Sequence, residues 1–275
     1  MSQAGNEFNN TEPAPQIPFQ QDQPISEPAR MGPGGRLIGT LLSPGETFQD
    51  INRKPTFLVP MIIGILSYTA FLTFVSVWVK PDWKEIVRVQ ATRTSERFGT
   101  PPPTDQDIQR GVAFTKYGSI GSGLIVIPIW YFLAAGVLAL GMLLMQAKTT
   151  YKKILSVFGW VSCSVGLVYS LVAIAAIAVH DTESLRTMDF SNLASIIPTN
   201  LAQLLSSDAS PVLKAVASSL DVFSIWQVAL LIIGLAAIAG TKRITKSSTA
   251  ALVIGLWVLI IVIKVGFAAI GLGAR

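Results

Sequence analysis

Residues 154–179 read ILSVFGWVSCSVGLVYSLVAIAAIAV, a run without one charged side chain. A helix needs roughly 20 such residues to cross a hydrocarbon core about 30 Å thick. Lipid offers the backbone no hydrogen-bond partner, so a run of this kind crosses as a helix that satisfies its own N–H and C=O groups. Four further stretches have the same character: 57–79, 119–145, 222–240 and 249–271. Together they predict an all-α, polytopic membrane helical bundle with five transmembrane helices over 36–275.

Composition agrees. Charged residues make up 13% of the chain and hydrophobic ones 51%, whereas a soluble domain carries about 25% charge. The formal net charge of +5 then reads as topology and anchoring, and no nucleic-acid partner is expected, because no basic patch is interleaved with exposed aromatics. The single cysteine, Cys163, and the single histidine, His180, exclude an intramolecular disulfide and a Cys/His metal cluster. Along one helix they would stand about 25 Å apart, too far for a nucleophile pair, and Cys163 reads as a packing residue. There is no G-x-S-x-G, H-E-x-x-H or Walker pattern. The expectation is no enzyme, no catalytic residue, no metal and no cofactor.

The first 35 residues are rich in Gln, Asn, Pro and Glu and poor in aliphatics. Such a segment buries too little apolar surface to offset its ordering entropy, so a disordered tail is expected. It lacks the basic-then-apolar pattern of a cleavable signal, and the first span is expected to act as an uncleaved anchor. Residues 36–51 differ. Leu41 and Leu42 precede Ser43-Pro44-Gly45-Glu46, where Ser43 and Glu46 have the spacing of a capping box and Pro44 suits the first helical position. With Phe48 and Ile51 on one side, this reads as an amphipathic interfacial segment lying on the membrane surface.

The loops after the second and fourth spans are short and basic: Lys148, Lys152, Lys153, then Lys242, Arg243, Lys246. The positive-inside rule places both in the cytoplasm, with the N-terminus inside and the C-terminus outside. The first long loop, 80–118, carries seven basic residues on the other side and opposes this assignment; short loops near span ends set orientation best. Within that loop Trp83, Ile86 and Val87 mark a helix ended by Gly99, and Thr104-x-x-Asp107 opens another. In the second long loop, Ser210-Pro211 opens a short helix with Val212, Leu213, Val216 and Leu220 as its apolar stripe. Both are expected to cap the outer face of the bundle.

Lys264 lies inside the fifth span, where a charge costs about 2.5–3.5 kcal/mol on insertion scales and faces a partner or water. Asp221, at the outer end of the fourth span, is its expected structural ion-pair partner. Ser162, Gly166 and Ser170 recur every four residues on the third span and predict a close helix-packing face. Pro128 can kink the second span.

The order of features resembles the Yip (Ypt-interacting protein) domain family in its bacterial branch. The residues that carry the resemblance are Ser43-Pro44-Gly45-Glu46-Thr47-Phe48, Lys54-Pro55 and Pro60, then Leu220-Asp221-Val222-Phe223-Ser224-Ile225-Trp226 with Gly234, set among five spans with alternating loop lengths. The resemblance implies a five-span bundle with a cytoplasmic N-terminus. Eukaryotic members act as adaptors in vesicle traffic that bind small prenylated GTPases; this chain lacks the Asp-Leu-Tyr-Gly-Pro stretch they carry before the first span. The expected function is a non-enzymatic adaptor or organising protein in the membrane. Its partners would be the lipid bilayer, membrane or cytoplasmic proteins and a second copy of itself. The alternative is a small transporter or channel subunit using Lys264.

Overall fold

The computed structural model describes residues 30–187, 197, 199–206 and 208–269. Four helices are long and apolar enough to cross a membrane: α3 (Leu58–Trp78), α5 (Asp105–Leu144), α6 (Tyr151–Val179) and α10 (Lys246–Ala269). A fifth, α9 (Val222–Ile238), is apolar and shorter. At 17 residues it sits at the lower bound of a spanning helix, about 17–25 residues. The remaining helices are α1 (Pro33–Leu42), α2 (Pro44–Arg53), α4 (Trp83–Phe98), α7 (Thr182–Leu185) and α8 (Pro211–Ala217). The result is an all-α polytopic bundle; the tail expected at 1–35 lies outside the described residues up to residue 29, and Pro33 already begins α1.

The α6 helix is the hub. It packs against α1, α2, α3, α5 and α9, and Ile154 to Val161 are all buried. A second cluster, with Phe71, Val75, Ala173 and Ile177, closes α3 against the far end of α6. The outward faces are as apolar as the core: Leu58, Ile62 and Leu66 on α3 and Leu259, Ile260 and Ile263 on α10 are exposed. An apolar exterior of this kind is what a hydrocarbon solvent selects.

Helix starts follow the local chemistry. Thr104 and Asp107 form the capping box of α5, Asp82 caps α4 through the Glu85 N–H, and Ser210 caps α8 through the Leu213 N–H. Gly99, at φ 63°, ends α4 in the left-handed region that glycine tolerates. The second span differs from its expected length. It is the C-terminal part of a 40-residue helix, about 60 Å long, or twice the hydrocarbon thickness. Pro128 lies inside that helix without ending it. The first turns of α5 project beyond the bundle and pair with α4, where Ile86, Val87 and Ile108 are buried and Gly111 admits the Val87 side chain. On α8 the expected apolar stripe is turned outward: Val212, Leu213 and Val216 are exposed, while Ala215 and Ala217 are buried.

The two basic loops meet at one end of the bundle. The Lys148 N–H donates to the Ala239 carbonyl at 2.9 Å, and Arg243 Nη1 donates to Gln146 Oε1 at 3.4 Å. Gly240, at φ 69°, makes this possible, since a Cβ there would collide with the Lys148 carbonyl.

Candidate functional site

The most densely bonded polar cluster lies where α1 and α2 join the bundle. Arg36 and Thr40 fall four residues apart on one face of α1; Thr47, Asp50 and Ile51 share a face of α2. All five are buried. Arg36 Nη2 lies 2.8 Å from Asp50 Oδ2, with both side chains 3% exposed. Arg36 Nε donates to the same oxygen at 2.9 Å, Nη1 donates to the Lys54 carbonyl and to Thr56 Oγ1, and Nη2 reaches the Asp50 carbonyl. The Arg30 N–H donates to Asp50 Oδ1 at 2.7 Å. Burial pushes the Asp50 carboxyl up, but the Arg30 N–H together with the Arg36 side chain and its charge hold it below the usual carboxylate value. Both members of this pair are thus hydrogen-bonded as well as paired, the condition under which a buried ion pair is sustained.

The cluster ties the hairpin to the spans. Trp160 Nε1 on α6 donates to Thr56 Oγ1 at 3.3 Å, and Ser164 Oγ donates to the Leu37 carbonyl at 3.0 Å. Phe48 is fully buried against α9, at Gly234, where a Cβ would come within 2.5 Å of Val157 and 3.2 Å of the Phe48 ring. The amphipathic segment expected to lie on the membrane surface is therefore two helices packed into the bundle, because its apolar face meets α6 and α9. Of its named residues, Leu41 is half-buried against the core, Leu42, Ser43 and Glu46 are exposed, and Phe48 is core. Ser43 makes no side-chain cap; its carbonyl accepts from Thr47 Oγ1 instead.

Above the ion pair is a cleft of about 380 Å³ lined by Arg30, Met31, Arg36, Lys54, Thr56 and Trp160, among others.

The other expected sites are arranged differently. Lys264 Nζ donates to Ser218 Oγ at 2.9 Å and Ser219 Oγ at 3.2 Å, at the end of α8. It forms no ion pair with Asp221. That carboxylate caps α9, with Oδ2 accepting from the Ser224 N–H and hydroxyl. Asp221 precedes its helix and is held by it, whereas the Lys264 chain reaches the two hydroxyls closer at hand. On α6, Ser162 Oγ accepts from Gln227 Nε2 of α9 at 3.1 Å, but a Cβ on Gly166 would meet nothing within 4 Å, and Ser170 donates back to the Gly166 carbonyl. Only Ser162 of the three makes an interhelical bond. The close approaches fall at Gly234 against Val157 and at Gly159 against Pro60. Among the described residues no group of His, Cys, Asp and Glu could hold a metal.

The family model of the Yip1 domain matches residues 38–267, which begins inside α1 and ends inside α10. The chain belongs to the Yip1 domain family. It is similar to the membrane protein YknW of Bacillus subtilis, at 26% identity over 226 residues covering 81% of this chain and 87% of the relative. No solved structure matches it. The Yip1 match takes in all of α2, so Asp50 lies within the matched domain. Arg36 stands two residues before the matched stretch. The sequence offered one signal for this pair: a charge on the face of α1 that also carries Thr40, and an acid among Thr47, Phe48 and Ile51 on α2. A surface helix places its charges opposite the apolar stripe; here they share it.

Proposed function

We propose that this Yip1-domain protein is a non-enzymatic adaptor or organising protein of the membrane, with its N-terminus and basic loops in the cytoplasm and its C-terminus outside. One observation carries the reading: among the described residues nearly all buried polar side-chain atoms are bonded within the protein, Asn52 Oδ1, Thr149 Oγ1 and Asp221 Oδ1 being the exceptions. Each buried polar or charged residue among the described ones is hydrogen-bonded inside the protein, from Thr40 and Ser156, which bond back to their own helices, to Ser164 and Thr249, which bond across to α1 and α9. Such a bundle is a scaffold. A solute pathway needs several ionisable groups facing a water-filled route, and Lys264 is exposed on the periphery beside α8.

The elements suited to docking are the projecting α4–α5 hairpin and the joined basic loops. On the hairpin, Phe98, Phe114 and Tyr117 are exposed, and Arg97 and Lys116 lie over the rings of Phe98 and Tyr117. Aromatic and arginine side chains are the types enriched at protein interfaces. The orientation rests on the clustering of Lys148, Lys152, Lys153, Lys242, Arg243 and Lys246 at one end.

The test is photo-crosslinking in the native membrane, with the probe at Phe98, Phe114 or Lys148 and at the lipid-facing Ile62 as control. Discrete protein adducts from the first three and lipid adducts alone from Ile62 are expected. Lipid adducts alone from all four positions would overturn the adaptor reading.

A further inference from the structure

The cleft above the Arg36–Asp50 pair is built like a receptor for an anion. No carboxylate lines it, and its wall includes Arg30, Arg36 and Lys54. Arg36 is committed: its Nε, Nη1 and Nη2 groups all have acceptors within the protein. Lys54 is different. Its carbonyl is pinned by Arg36, yet its ammonium is exposed and makes no ion pair among the described residues. Thr56 adds a donor. Its Oγ1 accepts from both Arg36 Nη1 and Trp160 Nε1, at 2.8 and 3.3 Å. A hydroxyl has two acceptor lone pairs and one proton, so with both lone pairs engaged its proton remains for an acceptor in the cleft. The volume, about 380 Å³, lies within the range of ligand sites, about 300–1,000 Å³.

The setting points to lipid. The cleft opens at the start of the first span, and Val59 is part of its wall. From there Leu58, Ile62 and Leu66 form an exposed apolar row at i, i+4 and i+8 along α3. An acyl chain whose headgroup occupied the cleft would meet this row on α3. Basic pockets among spans at the membrane surface are suited to anionic headgroups.

We propose that this cleft binds the phosphate of an anionic phospholipid headgroup, with Lys54 as the cationic contact, Thr56 as hydroxyl donor and the α3 row as the path of one acyl chain.

The full chain, purified in a neutral detergent, tests this. Its melting midpoint is followed while phosphatidylglycerol, phosphatidylcholine or inorganic phosphate is added. Phosphatidylglycerol should raise the midpoint saturably, and the other two should not. Lys54→Gln should weaken the phosphatidylglycerol effect about fivefold, from one lost charge contact near the surface. Lys54→Arg, which keeps the charge, should retain it. Bound lipid counted by native mass spectrometry on folded protein gives the same answer should Lys54→Gln melt earlier, with Lys152→Gln as the control for general loss of charge. An equal shift from phosphatidylcholine, an equal shift from free phosphate, or undiminished binding by Lys54→Gln would each overturn the proposal.

Discussion

Two helical hairpins flank the spans and use charge in opposite ways. The α1–α2 hairpin holds Arg36 and Asp50 at 2.8 Å with 3% of each side chain exposed. The α4–α5 hairpin carries Arg88 and Glu85 at the same 2.8 Å, with 45% and 38% exposed. The distances are equal and the consequences are not. In water an exposed pair gains little over its hydrated partners, with a median of about 0–1 kcal/mol. Out of water the pair is constrained: removing one partner strands the other charge at a cost of about 3–5 kcal/mol. The first hairpin is therefore part of the bundle's structure, and the ion pair of the second is an exposed one of little energetic weight.

The largest effect should come from breaking the buried pair. Asp50→Ala is expected to destabilise the protein by about 3–5 kcal/mol, read from denaturant unfolding in mixed micelles. A loss under about 1 kcal/mol, the surface value, would erase the contrast between the hairpins. The pair also carries a pH signature. The folded Asp50 carboxyl is held below its usual value, so its contribution is complete above the unfolded pKa, about 4, and disappears as pH falls through the lower folded value. Unfolding free energy should fall with acid over that window in the parent protein, and that component should vanish in Asp50→Asn.

The next effect concerns packing behind the hairpin. Gly234→Ala places a methyl against Val157 and the Phe48 ring, and overpacking of this kind costs about 1–3 kcal/mol. Gly166→Ala, which meets nothing within 4 Å, should change the melting midpoint little or raise it. Equal losses from the two would show that α2 does not sit against α9 as described.

Smaller still is the cap at the other end. Asp221→Ala should cost about 1 kcal/mol as a lost helix cap. A double-mutant cycle with Lys264→Met should show no coupling, since Lys264 bonds Ser218 and Ser219. Coupling above about 0.5 kcal/mol would restore the ion pair that the sequence suggested. The smallest effect belongs to Arg88→Ala on the projecting hairpin, expected within about 1 kcal/mol.

How much of this was legible follows from the range of the interactions. The spans could be read because length and apolarity are local properties. The starts of α5 and α8 could be read because Thr104 and Ser210 act within three residues of themselves. The extent of α5 could not, since its first turns are held by Val87 and Ile86 of another helix. The contact between Arg36 and Asp50 spans 14 residues, and that between Ser164 and Leu37 spans 127. No periodicity within one helix specifies either. Lys264 was recognisable as a charge in need of a partner; the partner was a pair of serines 45 and 46 residues away, which carry no charge to betray them. The small-residue rule located Ser162 but not the close contacts at Gly159 and Gly234, whose spacing depends on which face the neighbours cover.

The most direct test of the contrast is amide hydrogen exchange on the full chain in lipid nanodiscs, comparing residues 33–53 with residues 83–98. Core elements open only with the bundle, and projecting ones open locally. The α1–α2 amides should exchange as slowly as those of α6, and the α4 amides measurably faster. Exchange of 33–53 at or above the rate of 83–98 would contradict the assignment of the first hairpin to the core.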